Sequence, residues 1–156
     1  MAELSKYTPN LRLGIRLKTI ILLRSIAVIG QLVTCLVVSN FLNFKLPYIE
    51  VYLTIGALAL SNFILFLLYS WNKRLSETTT TFVIGADIIQ LALLIFFTGG
   101  LSNPFVMLFI VPIAISIDNL PIRSSLILIV LTIVSVSIIG LYNYPLIKSD
   151  FSYLIN

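Results

Sequence analysis

Long apolar runs separated by short polar breaks constrain this chain more than any other feature. About twenty apolar residues are enough for a helix to cross the hydrocarbon core of a membrane. The runs also lack the polar–apolar alternation of membrane-barrel strands. The sequence therefore predicts an all-α, polytopic helical membrane protein with five transmembrane helices. The predicted helices cover about residues 19–41, 48–71, 79–97, 104–120 and 123–142.

The composition excludes most other classes of protein. Of 156 residues, 59% are hydrophobic and only 10% are charged, whereas a soluble domain carries about 25% charged residues. The chain has one cysteine, Cys35, and no histidine, which excludes an intrachain disulfide and histidine-based catalysis or metal binding. We predict no catalytic residue and no metal site. The basic residues flank apolar runs, which predicts membrane lipid and not nucleic acid as a partner.

The positions of the basic residues predict how the helices are oriented. Cytoplasmic loops of membrane proteins carry an excess of Lys and Arg. If the N-terminus is cytoplasmic, only Lys45 and Lys148 lie in loops on the opposite side. The basic residues then on the cytoplasmic side are Lys6, Arg12, Arg16, Lys18, Lys73, Arg74 and Arg123. We expect residues 1–18 to be a cytoplasmic segment and residues 143–156 a periplasmic tail leading toward a sixth helix that this chain lacks.

The fourth apolar segment allows two interpretations. Fourteen residues, Pro104–Ile117, make a helix of about 21 Å, shorter than the roughly 30 Å hydrocarbon core, and Pro112 lies in the middle. The segment either crosses the membrane or re-enters on the same side, which would reverse the orientation of everything after it. The basic Arg123 favours crossing.

Two charged residues and two glutamines fall inside the predicted first and third membrane helices. Arg24 and Asp87 lie at similar depths in the first and third helices, so they either form an ion pair, or Arg24 extends to the headgroups while Asp87 is protonated or caps a neighbour. Gln31 shares a helix face with Arg24, and Gln90 shares one with Asp87. These polar stripes either hold the two helices together or line a polar cavity for a ligand or a proton.

The segment between the third and fourth helices has the features of a turn and of a ligand site. Gly99 and Gly100 tolerate the left-handed conformation that ends a helix, and Asn103 followed by Pro104 is typical of a helix start. These features explain the segment without any function. The helix start would also offer unpaired N–H groups next to Phe105. A quinone needs such a donor and an apolar slot.

The heptapeptide Gly99–Phe105 resembles the GGxxNPF motif of the RegB/PrrB/ActS family of bacterial redox-sensing histidine kinases. The resemblance extends over about residues 12–125. It includes Leu22-Leu23-Arg24 with Gly30-Gln31, Arg74-Leu75-Ser76, and Asp87-Ile88-Ile89-Gln90-Leu91 with Thr98-Gly99-Gly100. Members of this family are six-helix sensors in the bacterial inner membrane.

The resemblance implies that residues 19–142 form the redox-sensing input domain of a sensor kinase in a two-component system. Ubiquinone would bind to Gly99, Gly100, Asn103, Pro104 and Phe105. The sensor would be a homodimer whose cytoplasmic kinase module passes a phosphoryl group to a response regulator. This chain contains neither the phosphorylated histidine nor the ATP-binding domain of that module, so it can sense but not phosphorylate. The redox cysteine of the family lies in its cytoplasmic part, and Cys35 is not its equivalent.

Two other functions remain open from the residues alone. The chain could be a small transporter or channel subunit, in which Arg24, Gln31, Asp87 and Gln90 would line a polar path. It could also be a structural membrane subunit, in which the glycine-rich segment is only a turn.

Overall fold

The computed structural model describes residues 17–40, 44–45, 47–68, 74–142 and 147–148. Within them the chain forms five α-helices and one pair of two-residue strands. In chain order the elements are α1 (Leu17–Asn40), β1 (Phe44–Lys45), α2 (Tyr48–Leu68), α3 (Glu77–Phe97), α4 (Ile110–Asn119), α5 (Ile122–Leu141) and β2 (Ile147–Lys148). The predicted all-α fold with five helices is confirmed. Residues 1–16, the end of the predicted second helix and most of the predicted tail lie outside the described residues.

Three of the helices begin earlier than the sequence predicts, α5 by a single residue at Ile122. α1 starts at Leu17 and α3 at Glu77, two residues before each predicted start. For α3 the reason is Ser76, whose side-chain oxygen accepts a hydrogen bond from the backbone N–H of Thr79 at 3.2 Å. This N-cap satisfies one of the orphan donors of the first turn, so the helix extends back through the threonine run.

α3 is the central helix of the bundle. α1 packs against α2, α2 against α3, and α3 against both α4 and α5. The main core forms around α3 and α5, where Ile88 and Leu128 are almost completely buried. A serine hydroxyl joins the last two helices, because Ser125 Oγ donates to the Ser116 carbonyl oxygen at 2.9 Å.

The segment after the turn runs the whole length of the bundle. α5 begins beside the start of α3, where Ser124 Oγ donates to Glu77 Oε1 at 2.7 Å. It ends beside the turn, where Leu101 Cδ1 lies 3.1 Å from the position a Cβ would take on Gly140. The segment between the turn and the start of α5 therefore runs from one end of the bundle to the other.

A tight helical form lets this short segment cover that distance. Pro104–Phe109 is a 3₁₀-helix that continues into α4. At about 2.0 Å per residue in the 3₁₀ part and 1.5 Å in α4, the two parts together reach about 27 Å. Pro112 lies in the first turn of α4, where the missing backbone N–H of proline is tolerated.

The helices have the length and surface of a multi-pass membrane protein. α1, α2, α3 and α5 are long enough and apolar enough to cross a membrane, and Phe105–Asn119 is a shorter apolar helix. Large apolar side chains such as Ile29, Leu60 and Phe82 point away from the bundle and are exposed. In a membrane, lipid chains would contact these surfaces.

The strand pair joins two parts of the chain that are distant in sequence. Phe44 pairs with Lys148 and Lys45 with Ile147 in antiparallel register. The chain after α1 and the chain after α5 therefore meet at one end of the bundle. The sequence does not predict these strands, because two residues are too few to carry a period-two pattern.

Candidate functional site

A cavity of about 1210 Å³ lies between α1, α3 and the segment Phe105–Ile115. Its lining is mostly apolar and follows α3 from Ile84 to Thr98, a distance of about 21 Å at 1.5 Å per residue. Lining residues such as Val33 and Val111 are also exposed at the surface of the bundle. The cavity therefore opens sideways, toward the position of lipid chains in a membrane.

Arg24 and Asp87 form an ion pair at one end of this cavity. Arg24 Nη2 lies 2.9 Å from Asp87 Oδ1, and the two side chains are 7% and 25% exposed. The same nitrogen donates a hydrogen bond to Ser61 Oγ at 2.6 Å, which adds α2 to the contact. Of the two alternatives for these charges, the structure adopts the pair. A paired charge avoids much of the cost of isolation in a low-dielectric interior.

Gln31 and Gln90 form a second polar contact between α1 and α3. Gln90 Nε2 donates to Gln31 Oε1 at 3.2 Å, and both side chains line the cavity. α1 is held to α2 separately by Asn62, whose Nδ2 donates to the Ile21 carbonyl oxygen at 3.2 Å and to Ser25 Oγ at 3.0 Å. The polar side chains thus hold helices together, and two of these contacts also face the cavity.

The glycines of the turn take the conformation that their sequence predicts. Gly99 has φ 111° and Gly100 has φ 60°, which non-glycine residues rarely adopt. Gly99 lines the cavity, whereas Gly100 is buried outside its lining. Gly100 therefore shapes the turn without facing a ligand.

Asn103 holds the turn together with all of its side-chain groups. Its Oδ1 accepts from the Phe105 backbone N–H at 2.9 Å, which is the predicted N-cap. Its Nδ2 donates to the Thr98 carbonyl oxygen at 3.2 Å and to Thr98 Oγ1 at 2.7 Å. The amide therefore links the end of α3 to the start of the next helical segment.

The hydrogen-bond donors at the start of this segment are already in use. Pro104 has no backbone N–H, Phe105 N donates to the Asn103 side chain, and Val106 N donates to the Asn103 carbonyl oxygen at 3.1 Å. The unpaired N–H groups that the sequence predicts at this helix start are thus occupied by the turn itself. The Phe105 side chain still lines the cavity, as an apolar wall.

The structure brings the intramembrane polar residues and the residues of the turn together around one cavity, although they are separate features of the sequence. The predicted site residues that line the one cavity are Arg24, Gln31, Asp87, Gln90, Gly99, Asn103 and Phe105. Sequence reasoning missed Ser61 and Thr98. Ser61 stands beside Asn62 in an otherwise apolar run, and that polar pair was the available signal.

Apolar helices around a cavity that opens toward lipid define a polytopic membrane domain with a ligand-sized site. The chain belongs to the family described as PilS-like transmembrane domain, whose match covers residues 10–150. It is similar to the sensor histidine kinase RegB of Cereibacter sphaeroides, with 37% identity over 139 residues, or 89% of this chain and 30% of the relative. A second RegB, from Cereibacter sphaeroides strain ATCC 17023, is 36% identical over 78 residues, or 50% of this chain and 17% of that protein.

These comparisons confirm the resemblance to the RegB family for the membrane part of the relatives. The chain spans less than a third of the length of the curated relatives it matches. It is therefore related to the transmembrane domain of a RegB-like sensor histidine kinase. No solved structure matches the chain.

Proposed function

We propose that this chain is the quinone-sensing, and thereby redox-sensing, input domain of a two-component sensor histidine kinase. The cavity between α1, α3 and the segment Phe105–Ile115 would hold the quinone, and its state of occupation would set the activity of a cytoplasmic kinase module. The observation that carries this proposal is that the GGxxNPF turn and the intramembrane polar side chains border one apolar cavity.

The shape and chemistry of the cavity suit a membrane-soluble quinone. Such a ligand has an apolar prenyl tail and ring oxygens that form hydrogen bonds. An elongated apolar site that opens sideways allows entry from the lipid, and a few polar groups inside can orient the ring. Gly99 and Phe105 border this site. In this proposal, Gly100, Asn103 and Pro104 maintain the shape of the turn that carries them.

The remaining parts of the proposal rest on the relatives. Both RegB proteins are named as sensor histidine kinases, which supports a homodimer that acts on a response regulator through a kinase module. It also supports a location in the bacterial inner membrane. The excess of basic residues in the predicted cytoplasmic loops supports a cytoplasmic N-terminus. The family membership favours a sensor over the transporter or structural-subunit alternatives.

Binding of a prenylated ubiquinone analogue to the purified chain in nanodiscs tests this function. We expect saturable binding to the wild type. Phe105→Ala should weaken it roughly 5- to 30-fold, because an apolar wall worth about 1–2 kcal/mol is lost. Phe82→Ala is the matched control, since Phe82 is 80% exposed and lies outside the cavity lining. Absence of saturable binding to the wild type would reject the function.

A further inference from the structure

The two glutamines of the chain meet inside the cavity, away from the turn. Gln31 and Gln90 share one hydrogen bond of 3.2 Å between α1 and α3. Both side chains are partly buried and both line the cavity. They connect α1 and α3, the two helices whose side chains form walls of the cavity.

One shared hydrogen bond leaves one amino group and one carbonyl oxygen of this amide pair without a partner. Each amide carries two N–H donors and one carbonyl oxygen. In the described part of the chain, the amino group of Gln31 and the carbonyl oxygen of Gln90 have no hydrogen-bond partner. This does not depend on how the amides are turned, because a single amide–amide bond always leaves one amino group and one carbonyl oxygen. Such groups in an apolar cavity favour a ligand that can pair with them.

The other amide and charged groups of the cavity are less suited to a ligand. Asn103 uses its amide within the turn. Arg24 Nη2 is held by Asp87 and Ser61. Arg24 Nε has no hydrogen-bond partner among the described residues, but this atom is buried and does not reach the cavity. Thr34 and Ser102 add single hydroxyl groups to the lining, whereas the amide pair places an unused amino group beside an unused carbonyl oxygen, without a charge.

We propose that the Gln31–Gln90 amide pair binds a ring oxygen of the quinone, and that the turn Gly99–Phe105 borders its prenyl tail. A quinone carbonyl accepts a hydrogen bond from the amino group of Gln31. A quinol hydroxyl donates one to the carbonyl oxygen of Gln90, so the pair serves both oxidation states. This inference rests on the proposed quinone-sensing function and assigns the parts of the ligand within the same cavity.

The spacing along α3 separates the two parts of the ligand. Gln90 precedes Thr98 by eight residues, or about 12 Å along a helix. A ring held at the amide pair is therefore too far from the turn to contact it, whereas a prenyl tail that follows the cavity reaches Phe105. The two ends of the site should respond differently to a ligand with a tail and a ligand without one.

Binding of two ubiquinone analogues, one prenylated and one without a tail, tests this assignment in nanodiscs. Gln31→Met keeps a similar shape, removes the Gln31 amide and releases the Gln90 amide from the pair. Because the two amides no longer hold each other in place, both analogues should bind roughly 2- to 10-fold more weakly. Phe105→Ala should weaken only the prenylated analogue. Ile29→Met is the control on the same helix, because Ile29 is exposed outside the cavity lining, and it should change neither affinity.

Further measurements distinguish a wrong position for the ring or the tail from misfolding and from a chain that binds no quinone. The double variant Gln31→Met with Gln90→Met removes both amides, leaves no orphan group, and should also bind both analogues weakly. Helicity is measured alongside. Unchanged affinities in the folded glutamine variants would overturn the ring site, and weaker binding of the tail-less analogue to Phe105→Ala would overturn the tail assignment. A wild type that binds neither analogue would instead overturn the proposed function.

Discussion

Replacing Asp87 by asparagine tests the ion pair that holds α1 and α3 together. The substitution removes the negative charge 2.9 Å from Arg24, whose side chain is only 7% exposed. Removing one partner of a buried pair costs about 3–5 kcal/mol. We expect about 3 kcal/mol, the lower end, because Asp87 is 25% exposed and Ser61 still accepts a hydrogen bond from the arginine.

A double-mutant cycle with Arg24→Gln separates the pair from the individual residues. The variant with both Arg24→Gln and Asp87→Asn leaves no unpaired charge, so it should recover part of the loss, with a coupling energy of about 1–3 kcal/mol. The measurement is reversible unfolding of the purified chain in mixed detergent micelles, followed by circular dichroism. Asp118→Asn is the matched control, since Asp118 is exposed, and it should change stability by less than about 0.5 kcal/mol. Losses that add to within about 0.5 kcal/mol would refute the pair.

Three further predictions concern the turn and the orientation. Asn103→Ala removes the cap and the hydrogen bonds to the end of α3, so it should lower the free energy of unfolding by about 2 kcal/mol. Thermal unfolding measures this, and an unchanged midpoint temperature would contradict the role of Asn103. Gly99→Ala should lower the free energy of unfolding by about 1–2 kcal/mol, because Gly99 has φ 111°. Gly56→Ala should raise it by about 0.5–1 kcal/mol, since no atom lies within 4 Å of the added carbon. Equal effects of the two substitutions would argue against backbone strain at Gly99. An alkaline phosphatase fusion, active only in the periplasm, should be inactive after Arg74 and active after Ser102, and the reverse pattern would reject a cytoplasmic N-terminus.

Much of this fold follows from patterns that act over short distances. Apolar runs of about twenty residues predict the membrane helices because each run must satisfy its own backbone hydrogen bonds. Helical spacing alone places Arg24 and Gln31 on one face, and Asp87 and Gln90 on another. Gly99 and Asn103 predict the turn because positive φ and N-capping are local requirements.

The rest depends on contacts between helices, which no local pattern specifies. Spacing gives the face on which Gln31 lies but not the helix that it meets, so the shared cavity could not be predicted. The same holds for Ser61, which becomes a partner of Arg24 only when α2 packs beside α1. The prediction of free N–H groups near Phe105 was wrong for a related reason. The Asn103 cap that starts the segment occupies the same donors that a ligand would need.

The strand pair between β1 and β2 is a product of the helix bundle and not a cause of it. Ordering a residue costs about 1–2 kcal/mol in backbone entropy, and a hydrogen bond returns only about 1 kcal/mol net. Two residues on each side therefore cannot hold the strands together by themselves. The helices must bring these ends into proximity before they pair. The backbone amides that are bonded between β1 and β2 should consequently exchange with solvent through local opening, long before the bundle itself unfolds.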